Sequence, residues 1–510
     1  MNPGSSDVLI VGAGPTGLTL AIWLVRLGVG VRIIDKNPGP AAFSRALGVQ
    51  ARTLEFDRQL GFGDEIVERG VTVPGLNLWV KGAKAARVPL SGIGEGMTPY
   101  PFVLVYPQDE HERLLIERLE ALGVRVDRET ELVTFKQEPT SVRATLRTAE
   151  GDVTHTAAYI AGCDGTHSVV RELIAAGFPG GTYTGLFYVA DVEAGGPVID
   201  QELHVDLDEA DLLLVFPMKG DGRVRLVGTV RGDVATRDRL TFENVSSRAI
   251  EHLKIGVTKV NWFSDYRVHH RVASRFRKAR AFLLGDAAHV HSPVGAQGMN
   301  TGIGDAVNLA WKIAAVVKGR ASENILDTYE IERRAFARRL VATTDQIFTL
   351  ATRDGSFARG VRTRVFPLVA SILFRLPAMR RFVFRTASQL GVRYGMSDLS
   401  AGKAGSVRGG DRLPWVRLAR NGDDNFVPLR SLQWQVHVYG DSRTGVAEAC
   451  KSLGLAMHAF AWVPKMKQAG FMRGALYLVR PDGYVALADP RSDPERLRGY
   501  FRERDLRAAS

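Results

Sequence analysis

A chain of 510 residues, 45% hydrophobic and 24% charged, is longer than one ordinary domain and has the balance of a globular protein of two or three domains. Its net charge of +12 comes with no basic run interleaved with aromatics and no DNA- or RNA-binding signature; it marks either an electropositive approach for an anionic small molecule or merely a basic surface. Cys163 and Cys450 are too few for a disulfide framework, a Cys-x-x-Cys pair or a zinc cage, so a reducing, cytoplasmic setting is expected; no signal peptide is read at the amino end, and the apolar run 366–374 is too short to span a membrane.

The first stretch, Asp7-Val-Leu-Ile-Val-Gly-Ala-Gly-Pro-Thr-Gly-Leu, predicts a buried strand, a glycine turn and an apolar helix, with a second strand over 31–34 ending at Asp35. Gly12 suits the tight turn, Gly14 lets backbone approach a pyrophosphate, and Gly17 lets helix and strand pack closely. Asp35 can accept hydrogen bonds from ribose hydroxyls, so this unit reads as a dinucleotide grip, with Pro15, Thr16 and Lys36 counted in it. A turn-rich loop leads to Ser44-Arg45-Ala46, where the Arg45 guanidinium either meets phosphate oxygens or lies on the surface. Residues 73–100 are rich in Gly and Pro with strand-like pieces such as 76–80, and an amphipathic helix runs from Gln108 to Gly123. Strands over 124–126, 141–147 and 154–161 lead to Cys163-Asp164-Gly165, on its own a common strand-ending turn.

From about 180 to 267 the pattern becomes a series of strands, 187–192, 202–205, 212–216 and 224–230, predicted to form a mostly antiparallel sheet. Phe187, Phe216 and Met218 are candidate substrate-wall residues, although such side chains on strands are more often plain core. Residues 280–311 then form a short strand, a loop rich in Gly, Pro and His, and a helix whose apolar positions Ile303, Ala306, Val307, Ala310, Ile313, Ala314 and Val317 predict one buried face. Its amino end at Gly298, Met299 and Asn300 would offer unpaired N–H groups and the positive dipole end to a developing negative charge. Asp286 can accept from hydroxyls, and the carbonyl of Pro293 has no competing N–H donor beside it. His289 and His291 have no Cys or acidic cluster at ligand spacing and are read as turn-stabilising, with no metal assigned. Residues 347–394 carry nine arginines against Asp354 alone and read as a helical connector broken at Pro367 and Pro377, or as an interfacial helix.

These motifs in this order, the glycine fingerprint, Ser44-Arg45-Ala46, Cys163-Asp164-Gly165-Thr166-His167-Ser168-Val169-Val170-Arg171 and the segment 275–334, resemble the aromatic-ring hydroxylases of the flavoprotein monooxygenase group, relatives of para-hydroxybenzoate and phenol hydroxylase. The resemblance covers about the first two-thirds of the chain. It implies an α/β protein: a Rossmann-type FAD-binding domain (1–75, 102–179 and 268–345) with an inserted, mostly antiparallel β-sheet substrate domain (76–101 and 180–267). A helical connector (346–404) and a thioredoxin-like domain (405–510) would follow, the latter without its dithiol because that place reads Gly440-Asp-Ser-Arg-Thr444. It further implies that Arg45 meets phosphate, Gln108 meets the flavin linker, Asp164 and Asp286 help hold FAD, and Pro293 lies near the reacting edge with Gly298, Met299 and Asn300. The activity implied is hydroxylation of an electron-rich phenolic ring with NADH or NADPH and O2 through a flavin 4a-hydroperoxide, in a possible homodimer. The same residues leave open epoxidation, oxidative decarboxylation or Baeyer-Villiger insertion on a polyketide-like substrate, and a non-enzymatic nucleotide-binding scaffold.

Overall fold

A computed structural model describes residues 4–43, 46–207, 212–230, 240–245, 247–292, 295–352, 369, 374–418 and 423–508. Ser5–Val11 contains Val8, Leu9 and Ile10, all without solvent exposure, as expected of a strand covered on both faces. It lies between Gly151–Gly162 and Val31–Ile34 in parallel, and Ala281–Leu283 adds in parallel on the outer side of Gly151–Gly162. The register pairs Val11 with both Gly162 and Ile34, and Gly162 with Leu283, so the carboxyl ends of four parallel strands stop at one edge. Pro15–Arg26 packs over this sheet, with Pro15 in the first turn, where a missing N–H costs nothing.

The second sheet runs His289–Val290, Gly256–Val272, Gly180–Gly195, Arg223–Val230, Leu212–Pro217, Leu203–Leu207, Gly75–Val80, Ala83–Pro89. Only the Leu203–Leu207 and Gly75–Val80 pair is parallel. Gly256–Val272, a 17-residue strand, is absent from the sequence reading. Register shifts opposite Thr182/Leu186, Asp191/Val192 and Glu193/Ala194 interrupt its two-residue period, and a pattern search keyed to alternation passes over it. On one face Tyr188, Ala190, Val192, Val224, Leu226, Leu213 and Val215 pack with Val245, Ala249 and Leu253. The other face turns to the first domain: Phe216 packs against the main core and Arg225 Nη1 reaches the Ala46 carbonyl at 3.5 Å.

A third sheet, ordered Val407–Arg408, Ala401–Ala404, Val485–Asp489, Leu476–Val479, Gln435–Tyr439, Ala456–Phe460, closes the chain. Two expectations about helices need correction. Gly298–Val317 is not half-buried: every residue from Met299 to Ala314 is buried, the mark of a helix surrounded by protein. Pro377 does not break a helix but opens Pro377–Ala387 at its first turn, where its fixed φ is compatible; Pro367 lies outside the described residues. Among the described residues, no helix is long and apolar enough to cross a membrane.

Candidate active site

The aligned strand ends deliver four segments to one edge: Gly12-Ala13-Gly14 after the first strand, Asp35 after the second, Cys163-Asp164-Gly165 and Gly285-Asp286 after the other two. In open α/β sheets that edge is where ligands bind. Gly12 has φ +102, and a Cβ there would lie 2.3 Å from the Cys163 carbonyl oxygen; one on Gly17 would lie 2.0 Å from the Gly12 oxygen. A Cβ on Gly14 meets nothing within 4 Å. Two glycines are thus demanded by the protein's own packing, while the third faces open space. The N–H groups of Gly14, Thr16 and Gly17 have no acceptor among the described residues.

Asp35 is used locally: Oδ2 accepts from Ala13 N–H at 2.8 Å and Oδ1 from Asn37 N–H at 2.9 Å, which fixes the carboxylate beside the glycine turn. Lys36 is exposed. Thr16 faces inward, filling a slot made by two further glycines: a Cβ on Gly302 would fall 2.3 Å and one on Gly285 2.7 Å from its hydroxyl. It is the contact that locks the amino-terminal grip to the later loop and helix. Gln108 is tied by its N–H to the Ala46 carbonyl and by its amide to Glu112 at 2.8 Å. Arg45 and Pro293 lie outside the described residues.

The two later carboxylates are under-used. Asp164 Oδ2 accepts from Val170 N–H at 3.1 Å, but its Oδ1 is buried without a partner. Burial pushes its pKa up, against the opposing pull of Ser168 and backbone N–H groups. Asp286 is exposed between the buried Gly285 and Ala287, and it makes no hydrogen bond or ion pair among the described residues. Burial raises its pKa as well, partly offset by His289.

At the helix start, the N–H groups of Gly298, Met299 and Asn300 find no acceptor among the described residues. The Asn300 side chain, however, is fully engaged with protein. Its Oδ1 accepts from Gln50 N–H (2.8 Å) and Thr53 Oγ1 (2.7 Å), and its Nδ2 donates to the carbonyls of Gly48 (2.9 Å) and Ala296 (2.7 Å). It straps two loops together, leaving only its backbone for a ligand. His289 meets Asp305 Oδ2 at 2.7 Å, and His291 donates from Nδ1 to the Ser292 carbonyl.

Of the proposed wall residues, Phe187 packs with Val268, Tyr183 and Tyr266, Met218 is 8% exposed, and Phe216 is half-buried. The sequence reading missed the Asp191–Arg225 pair on the same face as Phe187, joined at 2.5 and 2.7 Å with the guanidinium over Trp262, which itself stacks on Phe43. Its signal was faint: one Asp and one Arg on separate strands. It also missed Asp305, whose signal was a carboxylate in a helix otherwise rich in apolar residues.

A donor set of unpaired amides at two helix starts, an open glycine and two under-used carboxylates suits a ligand with a pyrophosphate and a hydroxyl-bearing chain. That defines a dinucleotide-binding protein. Residues 5–344 match the FAD binding domain family. The chain is 33% identical to 6-methylpretetramide 4-monooxygenase of Streptomyces rimosus over 514 residues, covering 95% of this chain and 91% of that protein. It superposes on the anhydrotetracycline hydroxylase OxyS from Streptomyces rimosus with TM-score 0.79, at 28% identity over 99% of this chain and 100% of that one. It superposes with the same score on aklavinone-11 hydroxylase, solved as a ternary complex with FAD and aklavinone, at 25% identity over 99% of this chain and 100% of that one. The chain belongs to the FAD-binding-domain family of flavin-dependent aromatic hydroxylases. It is an FAD-dependent monooxygenase that uses O2 and a reduced nicotinamide nucleotide.

Proposed function

We propose that the protein hydroxylates a fused-ring phenolic substrate of the kind the three relatives' names denote. The observation that carries the reading is the convergence of four parallel strand ends on one edge, with an open glycine and unpartnered polar atoms at it. When bound, FAD supplies hydride acceptance and oxygen activation.

The residues of the chain do the holding and the shielding. Gly14, with the amides of Thr16 and Gly17, receives the pyrophosphate, Asp35 flanks the adenosine ribose, and Gln108 meets the flavin linker. Asp164 Oδ1 and Asp286 accept from cofactor hydroxyls. The amides of Gly298, Met299 and Asn300 favour negative charge at the ring end. By the family resemblance, Arg45 would meet phosphate and the Pro293 carbonyl would lie near the reacting edge. The sheet face bearing Phe187, Phe216 and Met218 keeps water from the reacting ring. His167, His269, His270 and Arg271 gather beside the Asp164 segment. Burial first, then the charges of Arg271, His167 and His270, lower the His269 pKa. Arg271 supplies the positive charge of this group and receives the anionic reductant, so the NAD(P)H KM rises with salt. The protein works in the cytoplasm, which suits its two unpaired cysteines.

Purified protein should be yellow and consume NAD(P)H faster with its phenol. One atom of labelled oxygen should enter the product. Consumption that never leads to incorporation, across a panel of fused-ring and single-ring phenols, would reject the hydroxylase reading.

A further inference from the structure

We propose that Asp305 is a positioning residue that sets the cofactor-facing Gly285–Ala287 turn, and that Arg333 and Tyr394 tie it to the carboxyl-terminal hairpin. Asp305 lies in the second turn of Gly298–Val317 and has no solvent exposure. A carboxylate in such a place is costly unless every lone pair is used. Its Oδ2 accepts from Gly285 N–H at 3.0 Å and meets His289 Nε2 at 2.7 Å, while Oδ1 accepts from Arg333 Nε at 2.6 Å. Burial would raise its pKa, but Arg333 and His289 outweigh that and keep it below the ordinary carboxylate range.

Gly285 is the residue before Asp286, the exposed carboxylate at the strand-end edge, and has a left-handed φ of +58. An N–H anchor one residue away therefore sets where the Asp286 side chain stands. The other end of the linkage is as specific. Arg333 Nη2 donates to the Thr301 carbonyl at 3.0 Å, bracing the same first turn whose amides are unpaired, and Nη1 donates to Tyr394 Oη at 2.9 Å. Tyr394 packs on Tyr484 with ring centroids 4.3 Å apart, and Tyr484 sits in the hairpin opened by Arg480. Arg480 in turn holds Glu332, the neighbour of Arg333, at 2.7 and 3.0 Å. Consecutive residues of one helix thus reach the cofactor turn on one side and the last domain on the other. A carboxylate serving stability alone would need partners; it would not need them to be the turn amide and the helix start at once.

The inference rests on FAD occupying the edge described above. The test compares the full-length wild type with Asp305→Asn and Tyr394→Phe, using apo-protein unfolding, FAD titration, the visible spectrum of bound flavin, and peroxide released per product. An amide offers one acceptor where three donors converge. Asp305→Asn should weaken FAD binding about tenfold to a hundredfold, the scale of a lost buried hydrogen bond to a charged group, with an altered flavin band and more peroxide. Tyr394→Phe, which removes only the distant hydroxyl, should shift binding in the same direction by about threefold to tenfold. Variants that fold and bind FAD with wild-type affinity and spectrum would reduce Asp305 to a structural charge. If Asp305→Asn does not fold, Tyr394→Phe decides alone: wild-type flavin behaviour overturns the inference. A wild type that takes up no FAD removes the underlying reading first, and this one with it.

Discussion

The glycines of the fingerprint do different jobs, and single substitutions should separate them. Gly14 has φ −78 and ψ −177, a region open to any residue, and space where a Cβ would go. Gly14→Val should therefore leave apo stability within about 0.5 kcal/mol while the protein loses FAD on desalting. Gly12→Ala meets both a positive φ and a carbonyl at 2.3 Å, and should cost about 1–3 kcal/mol from the backbone alone, read as a lower apo Tm. Equal loss of fold in both would mean that Gly14 is not facing a ligand. Asp286 gives a second residue-scale prediction, with a sign. Burial holds its carboxyl above the ordinary range, and hydroxyl donors from a ligand favour the ionised form, so binding releases a proton where the free group is protonated. FAD affinity should rise with pH through that window and level off above it. Asp286→Asn should flatten the curve in calorimetric titrations; a flat wild-type curve would exclude Asp286 from the site.

At the scale of elements, what the sequence revealed was whatever obeyed a local period or fixed spacing. The first strand, its helix, the Gln108–Ala121 helix and the start of Gly298–Val317 are where residue pattern places them, because apolar periodicity and glycine turns are local facts. The 17-residue strand escaped because bulges broke its alternation, and the strapping role of the Asn300 side chain was not legible because three of its four protein partners lie some 250 residues away in sequence. The same helix held an unread clue. Asn300, Asp305, Asn308 and Lys312 interrupt an apolar helix, and in a helix buried on all sides each polar group must have a partner elsewhere in the chain. Lys312 donates to Glu332 at 2.8 Å, and burial, only partly countered by Glu332, brings its pKa down to about 8. Lys312→Met should cost no more than about 1–2 kcal/mol, since Glu332 keeps Arg480 and Asn308. Arg480→Met leaves both Glu332 and Asp482 buried without their main cation and should cost about 3–5 kcal/mol in denaturant unfolding. The reverse order would show that Lys312, not Arg480, neutralises the cluster.

Across the whole molecule, the last sheet is joined to the first domain through buried charge as well as through a shared apolar core, in which Trp311 meets Trp434 edge-on at 5.4 Å. Arg412 forks onto Glu55, Arg58 meets Asp424 at 2.8 Å, Arg52 donates to the Asp482 carbonyl at 2.7 Å, and Trp311 donates to the Asp482 carboxylate at 3.1 Å. Removing residues 405–510 would take Arg480 from Glu332 and Arg412 from Glu55, leaving two carboxylates buried in the first domain with one cation each, Lys312 and Arg52. Such a truncation should fail to give soluble, flavin-loaded protein, and the intact chain should unfold in one transition by calorimetry. Acid provides a gentler test of the same coupling. Burial alone would raise the Glu332 pKa, but Arg480 and Lys312 hold it far below the ordinary range, so its folded pKa is depressed relative to the unfolded chain. Its contribution is therefore complete above about pH 4.3, the unfolded value, and is lost as pH falls below it. Glu332→Gln should remove that part of the acid dependence and lower stability at neutral pH. Because the hairpin and the cofactor turn share the Glu332-Arg333 step, flavin release and loss of the last sheet's tertiary signal should coincide on acid titration. A chain that sheds one well before the other would show two independent bodies in contact, not one charge-locked unit.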